Sequence, residues 1–130
     1  MMSVFVRILI GLFVIAHGVI HPVLAFAPQM GQNPPVSGTF WTHSWLLGNG
    51  PFVKGLIYAL SGLTALVLLG AGLGFMGVFP VTITRSLWIA GAGSSLLLLL
   101  VCWHNWLFVG ILLDIAMLAI PVFVKNGWFS

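Results

Sequence analysis

Residues 86–113 read SLWIAGAGSSLLLLLVCWHNWLFVGILL and contain no Asp, Glu, Lys or Arg. This stretch decides the fold, because about 20 apolar residues are enough to cross a bilayer as a helix. The rest of the 130-residue chain follows the same pattern, since 61% of it is hydrophobic and only 4% is charged. Roughly a quarter of the residues in a soluble domain are charged. The composition therefore excludes an ordinary water-soluble fold and indicates an integral membrane protein.

The apolar segments predict four transmembrane helices within a single domain that covers residues 1–130. The predicted spans are residues 4–26, 53–73, 85–103 and 106–124, and residues 27–52 form a polar outer loop rich in Pro and Gly. Only Trp103-His104-Asn105-Trp106 separates the last two spans. A connection this short makes its two helices antiparallel neighbours. The period-two alternation of a membrane β-barrel is missing, so we predict an all-α, antiparallel four-helix bundle.

The basic residues predict how the bundle is oriented. If the N-terminus is cytoplasmic, Arg7, Arg85 and Lys125 lie inside and Lys54 lies outside. This bias agrees with the positive-inside rule. We therefore expect both termini in the cytoplasm. Four isolated basic residues form no patch that could replace counterions along a phosphate backbone, so nucleic acid is not expected as a partner, whereas the lipid bilayer is.

The six tryptophans give a second indication of the topology. Trp residues favour membrane–water interfaces. We expect Trp41, Trp45, Trp103 and Trp106 at the outer boundary and Trp88 and Trp128 at the inner boundary. On this prediction the indole rings form an aromatic belt at each surface of the membrane.

The N-terminus imitates a secretory signal peptide. Arg7 precedes an apolar run that ends in Ala25-Phe26-Ala27, which looks like a small-residue cleavage site. Pro28 would directly follow the cleaved bond, however, and proline fits poorly there. We therefore predict that the first span is retained and that the protein resides in a membrane, most simply the cytoplasmic membrane of a prokaryote.

Small residues and prolines predict local features of the helices. Gly91 with Ser95, and Gly62 with Ala65, offer surfaces on which helix backbones can approach closely. Proline removes a backbone donor and leaves the carbonyl four residues earlier without its helical partner. Two carbonyls are affected in this way, that of Gly18 by Pro22 and that of Met117 by Pro121.

Asp114 is the most informative residue, because it is the only acid in the chain. Counted at about 1.5 Å per residue from the outer helix ends, Asp114 lies about 13 Å deep and His17 about 12 Å deep. A carboxylate in hydrocarbon costs several kcal/mol unless it is paired or protonated. We therefore predict a contact between His17 and Asp114. Its function is either a proton relay or the polar wall of a quinone or small-substrate pocket. Its structural alternative is a clasp that fixes helix register, or an Asp114 held neutral by hydrogen bonds.

The histidines are candidate metal or haem ligands. His17 and His21 lie four residues apart on one helical face, a spacing at which two imidazoles can share an ion. His21, His43 and His104 are predicted to meet the outer face. Haem would need two axial ligands on facing helices, for example His17 or His21 with His104. Structural polar contacts are the leading expectation, with no cofactor, and haem, copper or quinone remains the alternative.

The sequence argues against hydrolytic chemistry. We find no grouping of Ser, His and Asp, no Gly-x-Ser-x-Gly elbow, no His-Glu-x-x-His pair and no phosphate loop. With a single acid in the chain, hydrolysis by paired carboxylates is excluded. No catalytic residue is therefore assigned.

Two short motifs resemble those of the DoxX-like membrane proteins, which are small four-helix proteins. The first span carries Arg7-x3-Gly11-x5-His17-Gly18, which is similar to the start of that family, and the last span carries Gly110-x3-Asp114. The resemblance implies a place among proteins that include membrane subunits of quinone-reducing oxidoreductases.

The leading functional hypothesis is an accessory or assembly subunit of a larger electron-transport or other bioenergetic complex, without chemistry of its own. Its small-residue surfaces and outer tryptophans suit docking to other membrane subunits. A DoxX-like redox subunit with a haem, metal or quinone site near the outer face is the alternative. A proton or small-solute pathway is a further one.

Overall fold

In a computed structural model, the structure describes residues 2–26, 44–103 and 107–123. These residues form four helices, α1 (Val4–Phe26), α2 (Pro51–Phe75), α3 (Val81–Val101) and α4 (Phe108–Phe123). The all-α prediction is confirmed for this part of the chain. The first three helices are long and apolar enough to cross a membrane, whereas α4 is apolar but shorter. Its 16 residues extend over about 24 Å.

The second helix begins at a proline and the third directly after one, whereas the predicted starts were placed next to charged residues. Helix α2 begins at Pro51 and α3 directly follows Pro80, so both start earlier than the predicted residues 53 and 85. Proline suits the first turn because the N–H that it lacks has no partner there in any helix. Lys54 and Arg85, which the sequence analysis placed near span ends, lie inside the helices.

Consecutive helices pack side by side and run in opposite directions. Arg7 near the start of α1 donates from Nε to the Phe75 carbonyl at the end of α2, at 3.0 Å. At the same end of the bundle, Arg85 Nη2 near the start of α3 donates to the Pro121 carbonyl of α4, at 2.9 Å. Helix α1 packs along α2, α2 along α3, and α3 along α4. We call this end of the bundle the arginine end.

Glycines set the closest approaches between helices. A Cβ on Gly18 would lie 2.7 Å from the Leu68 Cβ, and a Cβ on Gly91 would lie 2.5 Å from the Leu68 Cδ2. Both glycines therefore allow a contact that any larger residue would disturb. The expectation for Gly62 is wrong, because no atom of the described residues lies within 4 Å of its Cβ position, whereas the backbone of its partner Ala65 comes within 3.5 Å of the Gly18 Cβ position.

Trp88 lies in the core, which corrects the prediction that it faces the inner membrane boundary. Its side chain is buried, its ring centroid is 5.5 Å from that of Phe75, and its Nε1 donates to the Met117 carbonyl at 2.7 Å. Pro121 deprives this carbonyl of its helical donor. The indole N–H thus serves an acceptor inside the bundle rather than water or headgroups.

The opposite end of α3 is covered by a turn at residues 44–48. The Ser44 Oγ donates to the Val101 carbonyl at 2.8 Å, and the Trp45 Nε1 donates to the Leu100 carbonyl at 2.7 Å. The last carbonyls of a helix have no donor within the helix, so these two side chains satisfy them. Trp45 and Trp103 are exposed at this end; Trp41, Trp106 and Trp128 lie outside the described residues.

Candidate functional site

The predicted contact between α1 and α4 is present. The His17 Nε2 lies 2.8 Å from the Asp114 Oδ1. The Asp114 side chain is fully buried and the His17 side chain is 7% exposed. This contact joins two helices whose backbones come close at few points, so a long side chain from α1 reaches across to α4.

Ser95 of α3 extends the contact into a cluster. Its Oγ donates to the Asp114 Oδ2 at 2.6 Å and lies 2.8 Å from the His21 Nε2. The His17 Nε2 is 3.5 Å from the same hydroxyl. His17, His21, Ser95 and Asp114 therefore form one hydrogen-bonded group, the polar cluster, which links α1, α3 and α4.

The hydrogen-bond pattern determines which atoms carry protons. With the His17 proton on Nε2, the two Asp114 carboxyl oxygens accept one hydrogen bond from His17 and one from Ser95. Since the Ser95 proton is directed to Asp114, its oxygen accepts from His21. Each imidazole thus carries a proton on Nε2, and in the neutral form its Nδ1 is the acceptor.

The cluster corrects the expectation that Ser, His and Asp do not come together. That expectation failed because the four residues lie on three helices, and Ser95 had been assigned to helix packing alone. A depth count places Ser95 at the level of the contact, because it lies eight positions before residue 103, or about 12 Å from the predicted outer end of its span. His17, Ser95 and Asp114 share one level of the bundle.

The cluster is nevertheless not arranged for nucleophilic attack by serine. In a Ser-His-Asp triad the serine hydroxyl gives its proton to the imidazole, and the carboxylate holds the other ring nitrogen. Here the Ser95 hydroxyl donates directly to the carboxylate. A carboxylate is a weaker base than imidazole, so the described geometry favours binding and positioning over acyl transfer.

The histidines do not gather around a metal position in the described part of the chain. The rings of His17 and His21 stand nearly perpendicular with centroids 5.5 Å apart, and their Nε2 atoms bond to different oxygens. Within residues 2–26, 44–103 and 107–123, no three His, Cys, Asp or Glu side chains form a group that could hold an ion. His43 and His104 lie outside the described residues, so their role as ligands stays a prediction.

A crevice of about 150 Å³ lies between α1 and α4, beside the polar cluster. Two of its lining residues are His17 and His21, and the rest are apolar: Ile20, Leu24, Leu99, Leu107 and Gly110. A Cβ on Gly110 would lie 2.9 Å from the Leu99 Cδ1. Helix α4 therefore sits close to α3 at the point where it stands away from α1.

The residues of the two sequence motifs have structural contacts of their own. Arg7 binds the end of α2, and Gly11 meets α2 so closely that a Cβ there would lie 2.8 Å from the Gly72 carbonyl oxygen. Gly18 makes the next close approach on the same face. Only the motif residues His17 and Asp114 belong to the polar cluster.

Comparison of the chain with protein-family models, with characterised proteins and with solved structures finds no match. The contacts of its own residues therefore carry the functional argument.

Proposed function

We propose that the chain is a four-span integral membrane protein that acts as an accessory or assembly subunit of a larger electron-transport or other bioenergetic complex. Both termini face the cytoplasm, and the membrane is the cytoplasmic membrane of a prokaryote. The partners are other membrane subunits and lipid. We further propose that the chain is a member of the DoxX-like group.

The polar cluster is the observation that carries this proposal. Its side-chain hydrogen bonds join His17, His21, Ser95 and Asp114 to one another. Polar side chains that bond one another across helices fix the register of a bundle. We infer that the cluster is a clasp that gives the protein one rigid shape for its partners.

The exposed surface supports the same proposal. Large apolar side chains are exposed along every described helix, for example Phe13 on α1, Leu66 on α2, Leu97 on α3 and Ile115 on α4. Such a surface suits contact with lipid tails and with other membrane helices. The basic residues Arg7 and Arg85 lie together at the arginine end, which agrees with that end being cytoplasmic.

The test is to purify the tagged full-length chain from its own membranes in a mild detergent and to identify its complex by native electrophoresis. We expect co-migration with subunits of an electron-transport complex, and loss of that complex when the chain is deleted. The variant Asp114→Asn is expected to lower the amount of complex while the turnover of each remaining complex stays unchanged. A chain that migrates alone, with full activity of every respiratory complex in its absence, would contradict the proposal.

A redox subunit with a haem, metal or quinone site near the outer face is the second candidate. The crevice beside His17 and His21 favours it, because an apolar pocket with a few polar groups is the usual form of a small-molecule site. The visible spectrum and metal content of the purified protein separate the two candidates. A Soret band, or stoichiometric metal lost on substitution of His21 or His104, would favour the redox role over the accessory one.

A further inference from the structure

The crevice is the place where the polar cluster meets the outside of the described bundle. Ser95 and Asp114 are fully buried and His21 is 1% exposed, whereas His17 keeps 7% exposure. His17 therefore connects the buried carboxylate to the crevice that it lines. Any molecule in the crevice meets the cluster through an imidazole rather than through a charged carboxylate.

The volume of the crevice, which is open on one side, suits a small ring. An apolar cavity of roughly 150 Å³ accepts a molecule of the size of benzene, and this crevice has about 150 Å³. Its walls are the side chains of Ile20, Leu24, Leu99 and Leu107. A single planar ring with little other polarity fits both the volume and the lining.

The hydrogen bonds of His17 specify the polar group of such a ligand. Within the described chain the hydrogen bonds of the His17 ring are made by its Nε2, which donates to Asp114. The Nδ1 of the neutral ring is then an acceptor. The ligand must therefore bring a donor, such as a hydroxyl group.

We propose that the crevice binds a lipophilic single-ring molecule that carries a hydroxyl group. The ring lies among the leucine and isoleucine side chains, and the hydroxyl donates to the Nδ1 of His17. Asp114 holds the imidazole in the required tautomer. The proposal is independent of the accessory role, because the site is formed by one chain and needs no partner subunit.

Two matched probes test the ligand class. The full-length chain in lipid nanodiscs is titrated with 4-fluorophenol and with 4-fluoroanisole and followed by fluorine NMR, with empty nanodiscs subtracted to remove partition into lipid. The two rings are alike, but only the phenol has a hydroxyl donor. We expect saturable binding of the phenol about fivefold tighter than that of the ether, the size of one net hydrogen bond. Equal affinities, or no binding beyond that of empty nanodiscs, would overturn the proposal.

Two matched variants test the location without disturbing the polar cluster. Ile20 lines the crevice and is 43% exposed, whereas its neighbour Val19 is 45% exposed and does not line it. A Trp at either position is therefore tolerated by the fold, but only Ile20→Trp fills the crevice. We expect Ile20→Trp to weaken phenol binding at least tenfold and Val19→Trp to leave it unchanged. The same effect in both variants would place the phenol elsewhere and refute the site.

Discussion

Helix α1 has two faces that hold their neighbours in different ways. Toward α2 it presents Gly11 and Gly18, and the backbones approach so closely that no Cβ has room. Toward α4 the backbones stay apart, and the side chains of His17 and Asp114 bridge the distance. The first face is held by close packing around glycines, with the Arg7 bond at its end, and the second is a polar contact beside a crevice.

The difference shows where the bundle can carry a function. Close packing against α2 stabilises the pair but leaves no space for another molecule. The seam between α1 and α4 has fewer contacts, and its polar groups must be satisfied within the bundle because lipid offers no hydrogen bonds. A pocket and ionisable side chains occur together there, so this seam is where substitutions should separate stability from binding.

The largest effect is expected from removing one partner of the polar contact. His17→Leu leaves the buried Asp114 without its imidazole, and breaking a buried pair in this way costs about 3 kcal/mol or more. The double variant His17→Leu, Asp114→Leu removes both polar groups and should regain most of that loss. Thermal unfolding of the wild type, the two single variants His17→Leu and Asp114→Leu, and the double variant in one detergent measures the cycle. A double variant no more stable than His17→Leu would contradict a pairwise contact.

The next effect is expected on the opposite face of α1. Gly18→Ala places a Cβ 2.7 Å from the Leu68 Cβ, and overpacking of this kind costs about 1–3 kcal/mol. Gly62→Ala is the matched control because that position faces open space, and alanine there improves helix propensity. We expect Gly18→Ala to lower the unfolding temperature and Gly62→Ala to maintain or raise it. Equal changes in both would show that α1 and α2 pack differently.

The sequence predicted the positions of the helices along the chain better than the side-chain contacts between them. The apolar segments located all four described helices, and depth counting from the outer helix ends paired His17 with Asp114. It did not bring Ser95 into the cluster, because a serine on an apolar helix looks the same whether it packs or donates. It also placed Trp88 at the membrane boundary. An interfacial tryptophan and a buried one can lie at similar depth in a helix. Only the rotation of the helix about its axis decides whether the ring faces the core or the membrane surface.

A smaller effect is expected from Ser95. Ser95→Ala removes the donor to the Asp114 Oδ2 and the acceptor beside the His21 Nε2, but the bond between His17 and Asp114 remains. Hydrogen bonds between membrane helices contribute about 0.6 kcal/mol on average and up to about 1.7 kcal/mol. We expect a loss of about 1 kcal/mol, measured by the same unfolding assay. Ser94→Ala removes one bond between helices, the one that Ser94 accepts from the Thr64 hydroxyl of α2, and should cost less than the loss of two at Ser95. The reverse order would contradict the bridging role of Ser95.

The smallest effect is expected from Trp88→Phe at the arginine end. Phenylalanine keeps the ring contact with Phe75 but removes the N–H that donates to the Met117 carbonyl. Pro121 denies that carbonyl a helical donor, so we expect a loss of about 0.5–1 kcal/mol. The double variant Trp88→Phe, Pro121→Ala restores the donor within α4 and should recover most of this loss. If the two substitutions are instead additive, the indole does not compensate for the proline, and the other contacts between α3 and α4 hold this seam.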